Sequence, residues 1–473
     1  DMSYLFSNCS SLISLNLTNF ITNNVENMSH IFEGCRSLTT VNLDNFNTSN
    51  VKDMSYMFSN CISLNVLDIS NLKTDLVEDM SGMFEYCHSL YYLDLKKFNT
   101  KKVKNMQKMF KYCTSLKGVD LDNFETSQVI NMSEMFYLCR TLMEINTNIL
   151  DISNVQDISY MFYSCNSLSY LNISHFNTEN VNNMSHLFAE CSSLISIYVS
   201  NFNSKNVIDM SCMFLDCSSI TSLDISNFDT SQAKNLSHMF ENCNMVSVLD
   251  ISQFNTKQVE DMSSIFRYCS SLTSIDLSNF DTSNVKDMSS MFRNCMRLNK
   301  IDVSSFNTEN VIDINAMFRD CSYLFEVNIE NFKTNKVEDM SNMFDGCSFL
   351  SSLNFSGINT DNVKNMSCIF RRCGRLTSID VSKFNTELVE DMSYMFSDCL
   401  ILRQLDVSHF NTKNVKNMQL MFQGCHGINT LNVKNFDTSK VTNMACMFQN
   451  CSYLSEIDVS NFNTSEVTDM YSM

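Results

Sequence analysis

Residues Val51–Leu76 read V-K-D-M-S-Y-M-F-S-N-C-I-S-L-N-V-L-D-I-S-N-L-K-T-D-L, and variants of this 26-residue stretch fill the chain. Its Phe-x-x-Cys motif, Phe58 to Cys61, occurs eighteen times between Phe6 and Cys451 without an insertion or a deletion. A fixed period of about 20–50 residues is typical of stacked repeats that contact only their neighbours. We therefore expect a single solenoid over residues 1–473, of about eighteen repeats, truncated within a repeat at both ends and without caps.

The first half of the repeat has the apolar spacing of a short helix. Apolar residues recur three and four places apart; they are Val51, Met54, Met57, Phe58, Cys61 and Leu64. Asp53 precedes this stripe, and its position holds Asp or Asn at all nineteen occurrences, which is typical of a helix N-cap. The pattern predicts one helix of about nine residues in each repeat.

The second half of the repeat has the pattern of a strand. Leu64, Leu67, Ile69 and Leu72 read L-x-x-L-x-L-x-x-L, and the central L-x-L has the alternation of a half-buried strand. Strands of successive repeats would stack in parallel. The sequence thus predicts an α/β architecture: a right-handed solenoid with a parallel β-sheet on one face and short helices on the other.

These motifs resemble the BspA-like leucine-rich repeat, in the 26-residue variety of bacterial surface proteins and lipoproteins. The stretches Asp224–Thr230 (D-I-S-N-F-D-T) and Asn235–Phe240 (N-L-S-H-M-F) are close to the consensus of that family. The chain departs from shorter members, which often place Pro after the strand, because it contains no Pro. The resemblance implies a leucine-rich-repeat protein at the cell surface or secreted, with a role in adhesion or host-protein binding. It implies no catalytic residues.

The charge of the chain narrows the classes of partner. Its formal net charge is -19, from 52 acidic and 33 basic residues. Binding to a nucleic-acid backbone needs a basic face, so this class is disfavoured. No apolar run approaches the roughly 20 residues that span a bilayer. A protein, a cationic ligand or a metal cation remain as partners.

The cysteines and methionines fall in fixed positions of the repeat. Eighteen of the 21 Cys lie in the Cys61 position, and equivalent side chains in a stack point the same way rather than at each other. We expect buried, reduced thiols, with a disulfide stack as the alternative. The sequence contains no C-x-x-C pair that would indicate a zinc site. The three other cysteines, Cys212, Cys368 and Cys446, share a position that we expect to be exposed. The Met columns are expected in the core.

An acidic column lies between the inward residues of the strand and should face outward. Four successive repeats carry an acid there: Asp224, Asp250, Asp276 and Asp302. Like charges about 5 Å apart should raise each other's pKa and attract cations. Two interpretations follow: a strip that binds Ca²⁺ or a cationic ligand, or a solvated ladder relieved by flanking serines. No other cofactor and no dedicated metal site is expected.

One repeat carries a tyrosine instead of the acid. Tyr198 occupies that position, and Tyr170 lies one repeat earlier on the diagonal, about 7–8 Å away and within reach of an aromatic ring. Exposed aromatic side chains are frequent binding hot spots. Drift within a degenerate repeat is the alternative. The preceding repeat is also irregular, with Thr147, Leu150 and Ile152 in unusual positions.

The sequence favours a non-enzymatic module over an enzyme. The seven His are scattered, no catalytic constellation occurs, and a flat repetitive face offers no enclosed pocket. We expect a surface-exposed adhesin that binds host or matrix proteins through its sheet face. A structural spacer or stalk, and an intracellular scaffold, remain as alternatives.

Overall fold

A computed structural model of the protein describes residues 1–355 and 357–473. These residues form two compact units, Asp1–Ala233 and Lys234–Met473, and each is described by itself. In both units, each residue of a repeat lies beside its equivalent in the next repeat. The continuity of one solenoid over residues 1–473 stays a prediction.

The strands pair in parallel, as the sequence predicts. Each pair joins equivalent positions of two adjacent repeats, so that Leu93 lies beside Val119 and Ile301 beside Val327. The first unit contains two pairs, β1 (Tyr92–Asp94) with β2 (Gly118–Asp120) and β3 (Tyr170–Leu171) with β4 (Ser196–Ile197); the second contains β5 (Lys300–Asp302) with β6 (Glu326–Asn328). The strands are two or three residues long, and among the described residues they form three separate two-stranded sheets instead of the single sheet expected from the sequence.

A second parallel ladder follows the Asp/Asn column that was expected to cap helices. Isolated bridges join Asp53 to Asp79 and their equivalents along each unit. The Oδ1 atom of Asp53 accepts a hydrogen bond from the backbone N–H of Ser55 at 2.9 Å. The side chain therefore accepts from the N–H two places on, as a capping residue does, but it closes an Asx-turn instead of starting a helix.

The predicted short helices are wrong: the structure contains no helix among the residues it describes. Consecutive turns replace them. The N–H of Ser59 donates to the carbonyl of Tyr56 at 3.0 Å, and that of Cys61 donates to Phe58 at 3.1 Å. Tyr56 and Asn60 have φ angles of 54° and 58°. These left-handed residues complete turns and interrupt a right-handed helix.

Hydrogen bonds between repeats explain why turns form here. The N–H groups of Tyr56 and Asn60 donate to the carbonyls of Ser81 and Glu85 in the next repeat, at 2.8 and 2.7 Å. A helix of about nine residues is marginal by itself, whereas a bond to the next repeat satisfies these amides in every repeat. The turns still bring apolar residues three and four places apart to one side, so the same pattern fits both structures.

The core consists of stacked columns of identical side chains. Met54, Phe58 and Cys61 are fully buried, as predicted, and so are their equivalents except in the repeats at the two ends of the chain. Phe rings of successive repeats stack with centroids 5.3–6.2 Å apart in the first unit. In the second unit the separations are 5.4–6.4 Å. Offset stacking of this kind adds to the burial of apolar surface.

No disulfide joins two cysteines among the described residues. The main cysteine column is buried except at its ends, where Cys9 is exposed and Cys451 is half-buried. The expected exposure of the second column is wrong for Cys212, which is 8% exposed; Cys368 and Cys446 are half-buried. Side chains of this column stack between repeats, as the rings of Tyr160 and His186 do at 4.2 Å. Neighbouring repeats therefore cover a position that looks exposed from the sequence.

Candidate ligand-binding face

Tyr170 and Tyr198 lie together on the outward side of the strands in the first unit. Their ring centroids are 6.3 Å apart and the ring planes meet at 75°. The pairing of Tyr170 with Ser196 places Tyr198 on the expected diagonal. Both side chains are about half exposed, at 52% and 54%. The structure thus brings the two predicted residues into an edge-to-face contact that leaves much of each ring in solvent.

An open depression of about 540 Å³ lies beside Tyr170 on the same face. It extends over the strand positions of four successive repeats, with Tyr92 at one end and Tyr170 at the other. Its lining residues are Tyr92, Gly118, Val119, Asp120, Leu121, Asp122, Glu144, Ile145, Asn146, Thr147, Asn148, Tyr170 and Asn172.

Two departures from the repeat account for the depression. Gly118 in β2 has no side chain, and a Cβ atom built there would meet no atom within 4 Å. Thr147 occupies an inward position where most other repeats have Leu, Ile or Val, and its buried hydroxyl donates to the carbonyl oxygen of Asn172. Within the described residues no strand pairing joins the Thr147 repeat to β2 or β3, as is also the case between most other neighbouring repeats. Gly118 and Thr147 both line the depression.

Acidic side chains line the depression. Asp120 forms an ion pair with Lys96, whose Nζ atom lies 3.0 Å from Oδ2, while Asp122 accepts a hydrogen bond from Asn146 at 3.1 Å. Burial raises the pKa of Asp120, but hydrogen bonds from the Asp122 amide and from Lys96 outweigh it, so the pKa is lowered. Glu144 is exposed. At neutral pH the depression therefore combines carboxylates with aromatic surface.

The four predicted aspartates are all exposed, and Asp302 is the one that lies in a strand of the described residues, β5. Asp224 belongs to the first unit; Asp250, Asp276 and Asp302 belong to the second. Each carboxylate accepts a hydrogen bond from the backbone N–H of the serine two places on, at 3.3 Å for Asp224 and 3.0 Å for the others. Every aspartate thus has a local partner within its own repeat.

The expected mutual rise in the pKa of these carboxyl groups is wrong. Hydrogen bonds from serine side chains and backbone amides lower the pKa of Asp250, Asp276 and Asp302. Because the groups are exposed, water screens their repulsion and the local hydrogen bonds dominate. This arrangement agrees with the solvated ladder; binding of Ca²⁺ or a cationic ligand to it stays a prediction.

Two kinds of feature are missing from the part of the chain that the structure describes. No group of three or more His, Cys, Asp or Glu side chains is arranged to hold a metal ion. No helix there has the length and apolar character needed to cross a bilayer.

Sequence reasoning missed Tyr92 and Gly118. Both occupy the same strand position as Tyr170, in earlier repeats. The signal was present, because an outward position that is polar in most repeats carries a tyrosine twice and a glycine once. The depression itself and its lining are visible only in the structure.

The whole chain matches one family in overlapping segments. The family is described as "Mycoplasma protein of unknown function, DUF285", and it matches residues 1–92, 69–170, 166–248, 237–352, 322–430 and 402–473. The comparison with curated proteins found no match.

Comparison with solved structures found leucine-rich-repeat proteins. One from Bacteroides ovatus is 18% identical, with 92% of this chain and 91% of that chain covered and a TM-score of 0.38. A leucine-rich cell surface protein from Faecalibacterium prausnitzii is 16% identical, with coverages of 82% and 84% and a TM-score of 0.34. An internalin from Listeria monocytogenes is 15% identical, with coverages of 73% and 87% and a TM-score of 0.24. Bacterial leucine-rich-repeat proteins are thus what this chain is similar to, as its sequence predicts.

Proposed function

Because this chain belongs to the DUF285 family, whose description gives no activity, we propose a function from its own structure: a non-enzymatic module that binds another protein. The binding surface is the outward strand face of the first unit. It comprises the depression between Tyr92 and Tyr170 together with Tyr198. The observation that carries this proposal is the exposed aromatic surface around an open depression.

Tyrosine side chains suit this role for a physical reason. Each offers a large, rigid apolar ring and a polar hydroxyl, and it loses little conformational entropy when it is immobilised. Tyr92, Tyr170 and Tyr198 are each more than half exposed, so a partner can bury much of their surface. Such residues are enriched among those that dominate binding energy.

The charge around the depression indicates the chemistry of the partner. Asp120, Asp122 and Glu144 lie in the lining, and only Asp120 has a lysine partner in the described structure. A partner segment with apolar or aromatic side chains flanked by Lys or Arg would fit this combination. The strip at Asp250, Asp276 and Asp302 offers a second, purely acidic contact for a cationic ligand or Ca²⁺. Replacing both Asp250 and Asp276 by Asn should then weaken that contact.

In its finer form, the proposal is an adhesin at the cell surface or secreted, with a host or matrix protein as its partner. The resemblance of the repeats to BspA-like surface proteins supports this version. A structural spacer is the alternative, since uniform repeats provide length without selecting a ligand. An intracellular scaffold would use the same face on a different partner.

The test is a binding screen of the full chain against a panel of immobilised host matrix proteins. Gly118→Leu should fill part of the depression and block binding, and its Cβ atom would meet no atom within 4 Å. The double variant Tyr170→Ala/Tyr198→Ala should weaken binding by about tenfold or more, as hot-spot truncations do. Tyr453→Ala is the matched control, because Tyr453 is 72% exposed in the second unit.

The outcomes separate the candidate functions. Saturable binding that both site variants weaken, and that the control does not, supports the protein-binding module. Saturable binding that none of the three variants changes places the contact on another face and overturns the assignment of this site. The absence of saturable binding to every protein on the panel favours the spacer.

A further inference from the structure

Arginine is concentrated in one part of this acidic chain. Eight of its ten arginines lie between Arg267 and Arg403, within the second unit. Five of these eight stand in the turn segments, on the side of the repeat away from the strands; they are Arg267, Arg293, Arg319, Arg371 and Arg372. Such a cluster is unexpected at random in a protein of net charge -19.

Three of these arginines form a ladder. Arg267, Arg293 and Arg319 each follow the core Phe in three successive repeats. Their backbones are held in register, since Tyr268 donates to the carbonyl of Arg293 at 2.8 Å. Successive rungs of a parallel ladder are about 4.8 Å apart, so the three side chains start close together. All three are half-buried.

Carboxylates pair with the two outer arginines of the ladder but not with the central one. Arg267 pairs with Glu241 at 3.3 Å, and Arg319 pairs with Asp345 at 3.3 Å. Arg293 has no ion pair with a carboxylate among the described residues, and its buried Nε atom has no hydrogen-bond partner there. Burial, followed by repulsion from Arg319 and Arg267, lowers the pKa of Arg293, and the weaker opposing effects of Tyr268 and Asp320 do not offset it.

Arg293 lacks such a partner because of the residue that stands at the neighbouring position of the next repeat. In this fold the residue that follows the core Phe lies against a side chain of the next repeat. That side chain stands two places before the core Phe of its own repeat. Glu134 pairs in this way with Lys111, and the Tyr394 ring lies 4.9 Å from the guanidinium of Arg371. For Arg293 that neighbour is Ala316, whose methyl group offers neither a charge nor a ring.

We propose that Arg293, flanked by Arg267 and Arg319, binds an oxyanion of the phosphate or sulfate class on the turn side of the second unit. A guanidinium presents two parallel N–H donors to two oxygens of such a group, which a lysine cannot do. An anion there compensates the central charge that no carboxylate of the repeat neutralises. This site lies on a different side of the repeat from the strand face and does not depend on the proposed function.

The first experiment measures thermal unfolding and calorimetric titration of the full chain with inorganic phosphate and with sulfate, against chloride at equal ionic strength. The melting temperature should rise saturably with either oxyanion, because a ligand that binds only the folded state stabilises it. Arg293→Gln should weaken binding by about tenfold or more, as expected for the loss of a charge-assisted bidentate contact. Arg403→Gln, an equal change of charge at an exposed position elsewhere, should not.

A second variant keeps Arg293 and supplies the missing partner. Ala316→Glu introduces a carboxylate like the one that Glu134 provides for Lys111. The two equivalent positions have similar backbones, with a φ of 54° at Ala316 and 59° at Glu134. It should remove the response to oxyanions while the protein melts at the same temperature or higher without them. A parallel titration with a sulfated polysaccharide distinguishes a polymeric source of the anion from the free ion.

Without oxyanion, Arg293→Gln should melt at the same temperature as the wild type or higher, since it removes repulsion within the ladder. Equal oxyanion responses in the wild type, Arg293→Gln and Arg403→Gln would overturn the proposal. So would a lack of saturable response in the wild type, or an undiminished response in Ala316→Glu.

Discussion

At the scale of the residue, the repeated cysteine acts as a small core residue with one weak donor. The thiol of Cys191 donates to the carbonyl oxygen of Phe162 at 3.0 Å, and the equivalent bond recurs along each unit. Burial raises the pKa of Cys191 to about 12, against a smaller opposing effect of a backbone hydrogen bond. A thiol in this state is a poor nucleophile at neutral pH, because the thiolate is the reactive form.

Alkylation should therefore distinguish the ends of the column from its interior. With iodoacetamide at pH 8, Cys9 should be modified rapidly, since it is exposed, whereas Cys191 should stay protected until the protein is unfolded in guanidinium chloride. Peptide mass spectrometry of native and unfolded samples measures both. Rapid labelling of Cys191 in the native protein, or disulfide-linked peptides such as Cys61–Cys87 in unreduced protein, would contradict this prediction.

At the scale of the element, each repeat is held by turns whose left-handed residues recur four places apart. Gly82 is one such residue, with a φ of 56°. A Cβ atom there would lie 2.3 Å from the Tyr56 ring. Non-glycine residues occupy this position in most repeats, so the strain is tolerated where the bonds to the next repeat compensate for it.

Gly82 has a left-handed backbone and Gly118 does not, so these two glycines of the first unit provide a matched test. Gly82→Ala should lower the free energy of unfolding by about 1–2 kcal/mol, the cost of a left-handed L-residue. Gly118→Ala should change it by less than about 0.5 kcal/mol, because its Cβ meets open space. Urea unfolding followed by circular dichroism measures both. Equal destabilisation by the two variants would show that the left-handed turn is not the source of the strain.

At the scale of the whole molecule, every parallel pair within each unit joins equivalent positions of adjacent repeats. The backbone hydrogen bonds between repeats and the Phe stacks likewise join adjacent repeats, whereas the ion pair of Arg372 with Asp320 spans two repeats. Stability in such an array is approximately a sum of repeat terms and nearest-neighbour terms. Chain length can therefore change by whole repeats with little effect on the remainder.

Deleting residues 27–52 should thus be tolerated, because it joins Glu26 to Asp53 and preserves every column. We expect a cooperative melting transition within a few degrees of the wild type, as loss of one interior repeat removes one repeat term and one interface. Deleting only residues 40–52 should lower the melting temperature more, since it leaves half a repeat whose turn and strand positions do not match those of its neighbours. Similar melting curves for the two deletions would contradict the nearest-neighbour description.

The sequence alone determined the period, the parallel arrangement and the inward columns at Met54, Phe58 and Cys61. These features follow from residue spacing, and a constant repeat length without gaps has few structural solutions. It also identified Tyr170 and Tyr198 as neighbours, because their diagonal depends only on the register.

Only the tertiary structure decided between helices and consecutive turns, since apolar spacings of three and four fit both. The choice rests on amides such as that of Tyr56, which bond to the next repeat. The structure also decided where the strand face opens, beside Gly118 and Thr147. Likewise, the stagger of adjacent turns decides which position of the next repeat lies against the arginine ladder. The physical reason is common to all three: these contacts join neighbouring repeats, and residue spacing within one repeat does not specify them.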